Sequence, residues 1–229
     1  MRKLRQTERT ELSDQRMVEA AVAIMLQHGI SGLRLTEVGM QAGYSRGLAA
    51  MRFGSMGGLL RRVAELLGSR WIRAVTEAVG NKRGIAAIYA AIDTQERFLA
   101  PPASAVRVQY LILFNSLDPG AADRLNASRV LLAQRRDLAR WIREAAEDGD
   151  APSTMDPDAE AASILSSMIG TIFQSLMDAN MPPNTMCAKL KAEIAARLNH
   201  SPGAGPRALG NILRRTTRGK SRVPRTKKF

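Results

Sequence analysis

A glycine turn between two short helical segments is the feature that most restricts the fold of this chain. Residues 36–42 have the apolar spacing of a short helix, with Thr36 as its N-cap. Gly43 ends that helix because glycine adopts positive φ at little cost. Ser45 is a favourable N-cap for a further helix running to about Phe53. Two short helices joined by a three-to-four-residue glycine turn have the geometry of a DNA-binding helix-turn-helix.

A helix is predicted on each side of this unit. Residues 13–28 repeat apolar side chains at helical spacing, with Ser13 as the predicted N-cap and Gly29 as the residue that ends the helix. Ser55 is the predicted N-cap of a longer fourth helix. The apolar face of that helix comprises Leu59, Leu60, Val63, Leu66 and Leu67. Residues 13–60 are therefore predicted to form one small helical domain.

The remainder of the chain is also predicted to be helical. Pro–Pro and Pro–Gly pairs separate helices near 85–99, 103–117, 121–147, 158–179 and 184–198. No segment alternates apolar and polar residues with a period of two, so no sheet is expected. The predicted fold is all-α. Four regions follow from this division: a basic arm (1–12), a helix-turn-helix domain (13–60), a ligand-binding and dimerisation domain (61–200) and a basic, disordered tail (201–229).

The positive charge is concentrated at the two ends of the chain. Residues 1–60 carry eight Lys or Arg and five Asp or Glu, whereas residues 61–202 carry seventeen and sixteen. The tail has nine Lys or Arg and no Asp or Glu, a net charge of +9. A polyanion such as DNA is a natural partner for basic ends, while a membrane surface and plain solubilisation are the alternatives for the tail.

Residues 16–60 resemble the N-terminal domain of TetR-type (tetracycline-repressor-like) transcriptional regulators. The order and spacing of the matching residues hold over about 45 positions without a gap. The matching residues are Ala20–Ala21, Gly29, Leu35–Thr36, Val38, Ala42–Gly43, Ser45, Gly47, Phe53, Ser55 and Leu59–Leu60. The resemblance implies an all-helical subunit, a homodimer and repression of nearby genes that a small molecule relieves. Two departures stand out, because Ala50 replaces the usual aromatic and Met56 the usual lysine, both phosphate contacts in the family.

The predicted DNA contacts come from the helix-turn-helix and its flanks. Arg46 can read a guanine edge or hold a phosphate, and Leu48 and Ala49 can contact thymine methyl groups. The full predicted set is Arg34, Thr36, Ser45, Arg46, Leu48, Ala49, Arg52 and Ser55. Arg2, Lys3, Arg5 and Arg9 are predicted to lie along a groove as an arm.

Two further sets belong to the helical domain. An apolar pocket for an unidentified small-molecule effector is predicted from side chains on the surrounding helices. These are Tyr89, Arg107, Tyr110, Phe114, Trp141 and Met168. The segment 159–180 has an apolar stripe too wide for one core contact, together with small residues that allow close helix approach, so we expect it to pair with a second copy. The predicted dimer residues are Ile164, Leu165, Met168, Ile172, Phe173 and Leu176.

Several other classes of protein fit the sequence poorly. The chain has two histidines, one cysteine, no P-loop and no HExxH, so neither an enzyme, nor a cofactor, nor a metal site is expected. No apolar run is long enough to span a bilayer and no signal peptide is evident, which favours a cytoplasmic protein. A nonspecific nucleic-acid-binding protein with a degenerate helix-turn-helix and a basic tail is the main alternative.

Overall fold

A computed structural model of the protein describes residues 6–118, 120 and 124–198. These residues form nine α-helices and one 3₁₀ turn, Ile30–Gly32, and contain no strand, which confirms the all-α prediction. The helices are α1 (Gln6–His28), α2 (Leu35–Gln41), α3 (Leu48–Phe53), α4 (Met56–Val79), α5 (Gly84–Leu99), α6 (Ser104–Asn115), α7 (Arg124–Glu147), α8 (Pro157–Met177) and α9 (Pro183–Leu198). The predicted arm residues 1–5 and the tail lie outside the described residues.

The first helix is longer than the sequence pattern predicts. It begins at Gln6, so Ser13 lies inside it and its Oγ donates to the carbonyl oxygen of Thr10 at 2.8 Å. Ser13 is therefore not an N-cap, because the polar residues before it continue the helix without contributing to its apolar face. Gly29, at φ 68°, follows the last helical residue as predicted.

Helices α1 to α3 pack around the first half of α4 to form the N-terminal domain. Their buried side chains make one apolar cluster. From these three helices and the residue after the 3₁₀ turn it includes Met17, Val18, Ala21, Ile24, Met25, Leu33, Val38 and Ala49. Leu59, Leu60, Val63 and Leu67 of α4 and Val108 and Ile112 of α6 complete the cluster. Because α6 supplies two of these buried side chains, a shift of α6 would also displace residues packed in the N-terminal domain.

Helices α5 to α9 and the second half of α4 form the body. Its main cluster joins buried side chains of α5, α7, α8 and α9. A smaller cluster, centred on Leu99, Val106 and Tyr110, lies where α5, α6 and the end of α8 meet. Helix α4 belongs to both parts, since Leu59 is buried with the N-terminal domain and Val79 with the body.

One end of the body lies far from the N-terminal domain, and we call it the distal end. There the Arg83 guanidinium pairs with Glu147 at 3.0 Å, and Arg143 lies 3.9 Å from Asp158. Arg197, next to the last residue of α9, also reaches the start of α8, because its Nε lies 3.1 Å from a carboxylate oxygen of Glu160. The loop after α4, the end of α7, the start of α8 and the end of α9 therefore meet at the distal end.

The body helices agree with the sequence pattern to within a few residues at each boundary. Ser55 caps α4 as predicted, its Oγ accepting from the backbone N–H of Gly58 at 3.1 Å. Among the described helices, none combines the length and apolar character required to cross a membrane.

Candidate nucleic-acid interface

The turn between α2 and α3 is held by backbone hydrogen bonds. Gly43 adopts φ 83°, and its N–H donates to the carbonyl oxygen of Met40 at 3.0 Å. The Tyr44 N–H then donates to the carbonyl oxygen of Gly39 at 2.9 Å. Glycine is the residue that adopts this positive φ without strain, so the predicted role of Gly43 agrees with its backbone geometry.

Gly39 is a second glycine on which the turn depends, and sequence reasoning missed it. A Cβ atom at this position would lie 2.6 Å from the carbonyl oxygen of Ser45 and 3.7 Å from that of Arg46. The absent side chain therefore allows the backbone entering α3 to rest directly on α2. The sequence signal was a glycine within a seven-residue helix, where glycine is otherwise unfavourable by about 1 kcal/mol relative to alanine.

The structure changes the predicted N-caps of both short helices. Helix α2 has Arg34 at its N-cap and Thr36 in its first turn, so Thr36 is not the cap. Helix α3 begins at Leu48 with Gly47 at its N-cap, and neither helix has a capping side-chain hydrogen bond. Ser45 instead accepts a hydrogen bond from the Leu48 N–H through its backbone carbonyl, at 3.1 Å. Thr36 and Ser45 are both exposed, so their hydroxyl groups remain accessible to a partner.

The accessible face at α3 differs from the predicted one. Ala49 is 0% exposed and packs in the domain core, so its predicted contact with a thymine methyl group is wrong. Leu48 is half-buried against the same core, whereas Arg46 is exposed in the turn before α3. Ala50 and Met51 face outwards, Met51 being 74% exposed. The outer face of α3 thus presents a methionine that sequence reasoning did not consider.

Arg52 is bound to Asp14 of α1. Its Nε donates to Oδ1 at 2.8 Å and its Nη2 to Oδ2 at 2.7 Å, a two-point pair. The side chains of Arg52 and Asp14 are 28% and 20% exposed. The hydrogen bonds that Arg52 donates to the Asp14 carboxylate raise the pKa of Arg52 above its ordinary value. Arg52 therefore fixes the end of α3 against α1, a role that the sequence pattern did not indicate.

Asp14→Asn should lower the free energy of unfolding by about 1 kcal/mol, the upper end for a partly exposed pair, because the geometry is bidentate. Urea unfolding at low and high salt measures this change, which salt should reduce. Glu19→Gln is the matched control, since Glu19 lies on the same helix and accepts one exposed hydrogen bond from Gln15. An equal effect of both substitutions would contradict a specific role for the Asp14–Arg52 pair.

The other predicted polar contacts lie at the edges of this face. Arg34 is exposed, and its Nη1 donates to the carbonyl oxygens of Ser31 and Leu33 at 2.7 and 2.9 Å. These two hydrogen bonds to backbone carbonyls, rather than an ion pair with an acidic side chain, fix the orientation of its guanidinium. Ser55 is exposed but its Oγ already serves as the cap of α4.

The six predicted effector residues are divided between the two apolar clusters of the body and its surface. Tyr89 donates to the backbone carbonyl of Lys191 at 3.2 Å, and Arg107 is exposed. Trp141 and Met168 are buried in the main body core. Tyr110 and Phe114 alone form a direct ring contact, with centroids 5.9 Å apart.

Two surface cavities occur elsewhere in the described part of the chain. A cavity of about 530 Å³ lies on the N-terminal domain and one of about 290 Å³ at its junction with α6. The first is lined by Ile24, His28, Gly32, Glu37, Met40 and Gln41, and the second by Ile30, Met56, Gly57, Leu60, Ile112, Asn115 and Gly120. None of the predicted effector residues lines either cavity.

Half of the predicted dimer residues belong to the core of the subunit itself. Ile164 is 0% exposed, and Leu165 and Met168 are also buried. Ile164 has no accessible surface and cannot contact a second copy, whereas Leu165 and Met168, at 8% and 7% exposed, can contribute little to such a contact. The apolar stripe is wide because α8 packs against α7, α5 and α9 at once. Ile172 and Leu176 are half-buried, whereas Phe173 is exposed.

The outward faces of α8 and α9 carry mostly small side chains. On α8 the face runs along Ala159, Ala162, Ser166 and Gly170 before it reaches the exposed Phe173 and Met177. On α9 it includes the exposed Ala188, Ala192 and Ala196, with the exposed Lys189–Glu193 ion pair beside them. A Cβ atom at Gly170 would meet nothing within 4 Å. These two faces together form a surface against which further helices can approach closely.

Solved structures with the same architecture are transcriptional regulators. The fatty acid degradation regulator FadR from Bacillus halodurans superposes with a TM-score of 0.70 at 14% identity, covering 87% of this chain and 100% of that one. A TetR-family regulator from Cytophaga hutchinsonii gives 0.69 at 16% identity, with 87% and 100% covered. SmeT, the repressor of the Stenotrophomonas maltophilia multidrug efflux pump SmeDEF, gives 0.67 at 17%, with 85% and 96% covered.

No protein-family model matches the sequence, and no curated protein matches it either. The structural likeness is nevertheless consistent across regulators of this kind and spans most of the chain. The protein has the fold of TetR-type transcriptional regulators, which confirms the fold that the resemblance over residues 16–60 implied.

Proposed function

We propose that the protein is a DNA-binding transcriptional regulator that acts as a homodimer. The observation that carries this proposal is the contact between Gly39 and the turn before α3. That contact fixes the position of Arg46 and the exposed face of α3 relative to α2. A short helix offered in this way fits the major groove of DNA.

A homodimer is part of the proposal because one short helix reads few base pairs. Two copies related by a twofold axis double the number of contacts and match a palindromic operator. The small-residue faces of α8 and α9 suit such pairing, since four helices can then pack closely. Phe173 and Met177 at the end of α8 would be covered by the partner, which removes exposed apolar surface.

Ligand-responsive repression is the form of regulation that we propose. SmeT is a repressor, and a complex of SmeT with triclosan has been solved. In the present chain, α6 supports the mechanism because Val108 and Ile112 are buried with the N-terminal domain while Tyr110 packs in the body. An effector that shifts α6 would change the separation of the two α3 helices, so effector and DNA would favour different conformations.

The surface around α3 offers fewer contacts to DNA phosphates than the family pattern provides. Ala50 and Met56 cannot donate hydrogen bonds through their side chains, so these positions contribute only apolar contact. A nonspecific binder with a degenerate helix-turn-helix is the second candidate, favoured by these two substitutions and by the basic tail. The two candidates differ in whether the chain discriminates between duplex sequences.

Arg46→Ala should remove most of the discrimination between a preferred duplex and a scrambled one. An arginine that reads a guanine edge contributes about 1–3 kcal/mol per half-site, or about five- to 150-fold in relative affinity. Duplexes selected from a random pool by the full chain, followed by gel shifts at fixed salt, measure this ratio.

Arg136→Ala is the matched control for this substitution, because Arg136 is exposed on α7 of the body. It should leave the ratio unchanged. If the unaltered chain binds selected and scrambled duplexes equally, the nonspecific candidate is correct and sequence-specific regulation is not.

A further inference from the structure

The smaller of the two cavities lies where the N-terminal domain meets α6, and we call it the junction cavity. It has a volume of about 290 Å³. Six of the residues that line it come from the 3₁₀ turn, the first two turns of α4 and the end of α6: Ile30, Met56, Gly57, Leu60, Ile112 and Asn115. The cavity is thus bounded on one side by the N-terminal domain and on the other by a helix that also packs in the body.

The walls of the junction cavity are apolar and its rim is polar. Leu60 and Ile112 are only 6% and 4% exposed, and Ile30 and Met56 are half-buried. Asn115 is exposed, and its side-chain amide can both donate and accept a hydrogen bond. None of the described residues that line the cavity is ionisable, so the walls offer no charge to compensate a buried ion. The lining suits a neutral, mostly apolar molecule with one hydrogen-bonding group.

The volume of the cavity limits the size of such a molecule. It is about twice that of an apolar cavity of ~150 Å³ that takes up benzene. A pair of fused aromatic rings with one hydroxyl group matches this volume. The wall atoms of an unfilled apolar cavity lack dispersion contacts on one side, and a ligand of the right shape restores them. Binding of such a molecule therefore requires no charged contact.

The larger cavity, of about 530 Å³, is a poorer candidate for a regulatory site. Its described lining residues belong only to α1, the 3₁₀ turn and α2. Four of them, His28, Glu37, Met40 and Gln41, are exposed. A molecule bound there would contact neither α6 nor the body, so it could not link the two parts of the subunit.

A ligand in the junction cavity would lie close to the surface proposed to read DNA. Only Gly54 and Ser55 separate the end of α3 from the first turn of α4. The Ser55 Oγ holds that turn by accepting from the Gly58 N–H at 3.1 Å. On the opposite wall, Ile112 packs in the N-terminal cluster, while Tyr110 of the same helix packs in the body. A molecule between α4 and α6 would therefore change the position of α3 relative to the body.

We propose that the junction cavity is the effector site, and that its effector is a neutral, apolar molecule of about two fused rings with one hydroxyl group. The Asn115 amide forms a hydrogen bond with the hydroxyl group, and Leu60 and Ile112 contact the rings. This inference rests on the proposed function, because it assigns to this cavity the effector that regulates DNA binding. The effector and DNA then favour different positions of α4 relative to α6.

Equilibrium dialysis of the full chain with 1-naphthol and with naphthalene tests the site without DNA. Asn115→Leu should weaken binding of 1-naphthol about tenfold, because it removes the hydrogen bond, and should not weaken binding of naphthalene. Gln27→Leu is the matched control, since Gln27 is an exposed amide on α1 that does not line the cavity, and it should change neither affinity. Leu60→Phe should weaken binding of both probes at least about tenfold, because the larger side chain fills the cavity.

Gel shifts on a duplex that the unaltered chain selects measure the regulation. Saturating 1-naphthol should lower DNA affinity at least about fivefold in the unaltered chain and in Gln27→Leu, but not in Leu60→Phe. Binding at the site without a change in DNA affinity overturns the assignment of the effector.

Absence of binding by both probes overturns the site itself, as does binding of 1-naphthol that Asn115→Leu does not weaken. Asn115 is exposed, so its substitution decides the site even if Leu60→Phe does not fold. If the unaltered chain selects no duplex, the proposed function fails, whereas dialysis still decides whether the junction cavity binds this class of molecule.

Discussion

Gly39→Ala should abolish DNA binding and destabilise the N-terminal domain, by about 3 kcal/mol or more. The added methyl group would lie 2.6 Å from the carbonyl oxygen of Ser45, a separation that a real Cβ does not adopt. Overpacking in a core costs about 1–3 kcal/mol where side chains can move. Here the obstacle is backbone, so α2 and the turn before α3 must separate, and Arg46 is displaced with the turn.

The measurements are urea unfolding and a gel shift on a duplex that the unaltered chain binds. Gly68→Ala is the control, because Gly68 lies in α4 and a Cβ atom there would meet nothing within 4 Å. That substitution should leave DNA binding intact and should stabilise the helix by up to about 1 kcal/mol. If Gly39→Ala binds DNA as the unaltered chain does, the close contact between α2 and the turn does not position the reading surface.

Gly39 also illustrates what the sequence could and could not predict. The existence of α2, the turn and α3 followed from local signals: apolar spacing, Gly43 at positive φ and the glycine that ends α1. The requirement for a second glycine arises from a contact between residues six positions apart, which no propensity scale contains. The same reasoning explains Ala49, because a helix of six residues has too few positions to show which face is buried.

Which charged residues form ion pairs with each other was equally impossible to predict from the sequence. Asp14 and Arg52 are 38 positions apart, and their pairing depends on how α1 and α3 cross. Arg52 was therefore predicted as a DNA contact on the basis of its position in α3.

In the body, the spacing of apolar residues predicted the position of every described helix. It could not show which apolar residues of α8 pack in the subunit core and which remain available to a partner. Ile164 and Ser166 lie two residues apart and face opposite sides.

Ser166→Arg should convert the proposed dimer into a monomer. Ser166 lies in the small-residue face of α8, where it is exposed and its Oγ donates to the carbonyl oxygen of Ala162 at 2.8 Å. An arginine there extends into solvent in the isolated subunit, so the fold is unaffected. In a close-packed interface it would bring a large, unpaired charge between two helices, and its twofold copy would bring a second one. The dimer dissociation constant should rise at least a hundredfold, or by about 2.7 kcal/mol.

Ser69→Arg supplies the control, since Ser69 is also exposed on a helix, α4, and its Oγ donates to a carbonyl oxygen of its own helix, that of Leu66, at 2.9 Å. Sedimentation should give about twice the 25.0 kDa subunit mass for the unaltered chain and for Ser69→Arg, and the subunit mass for Ser166→Arg.

Loss of the dimer should also weaken binding to a palindromic duplex much more than binding to a half-site. The two N-terminal domains of a dimer act at a high effective concentration, which separate subunits do not have. A Ser166→Arg chain that stays dimeric would place the interface elsewhere on the body. If the unaltered chain sediments as a monomer, a twofold axis does not pair its α3 helices. The proposal that it recognises a palindrome then has no basis.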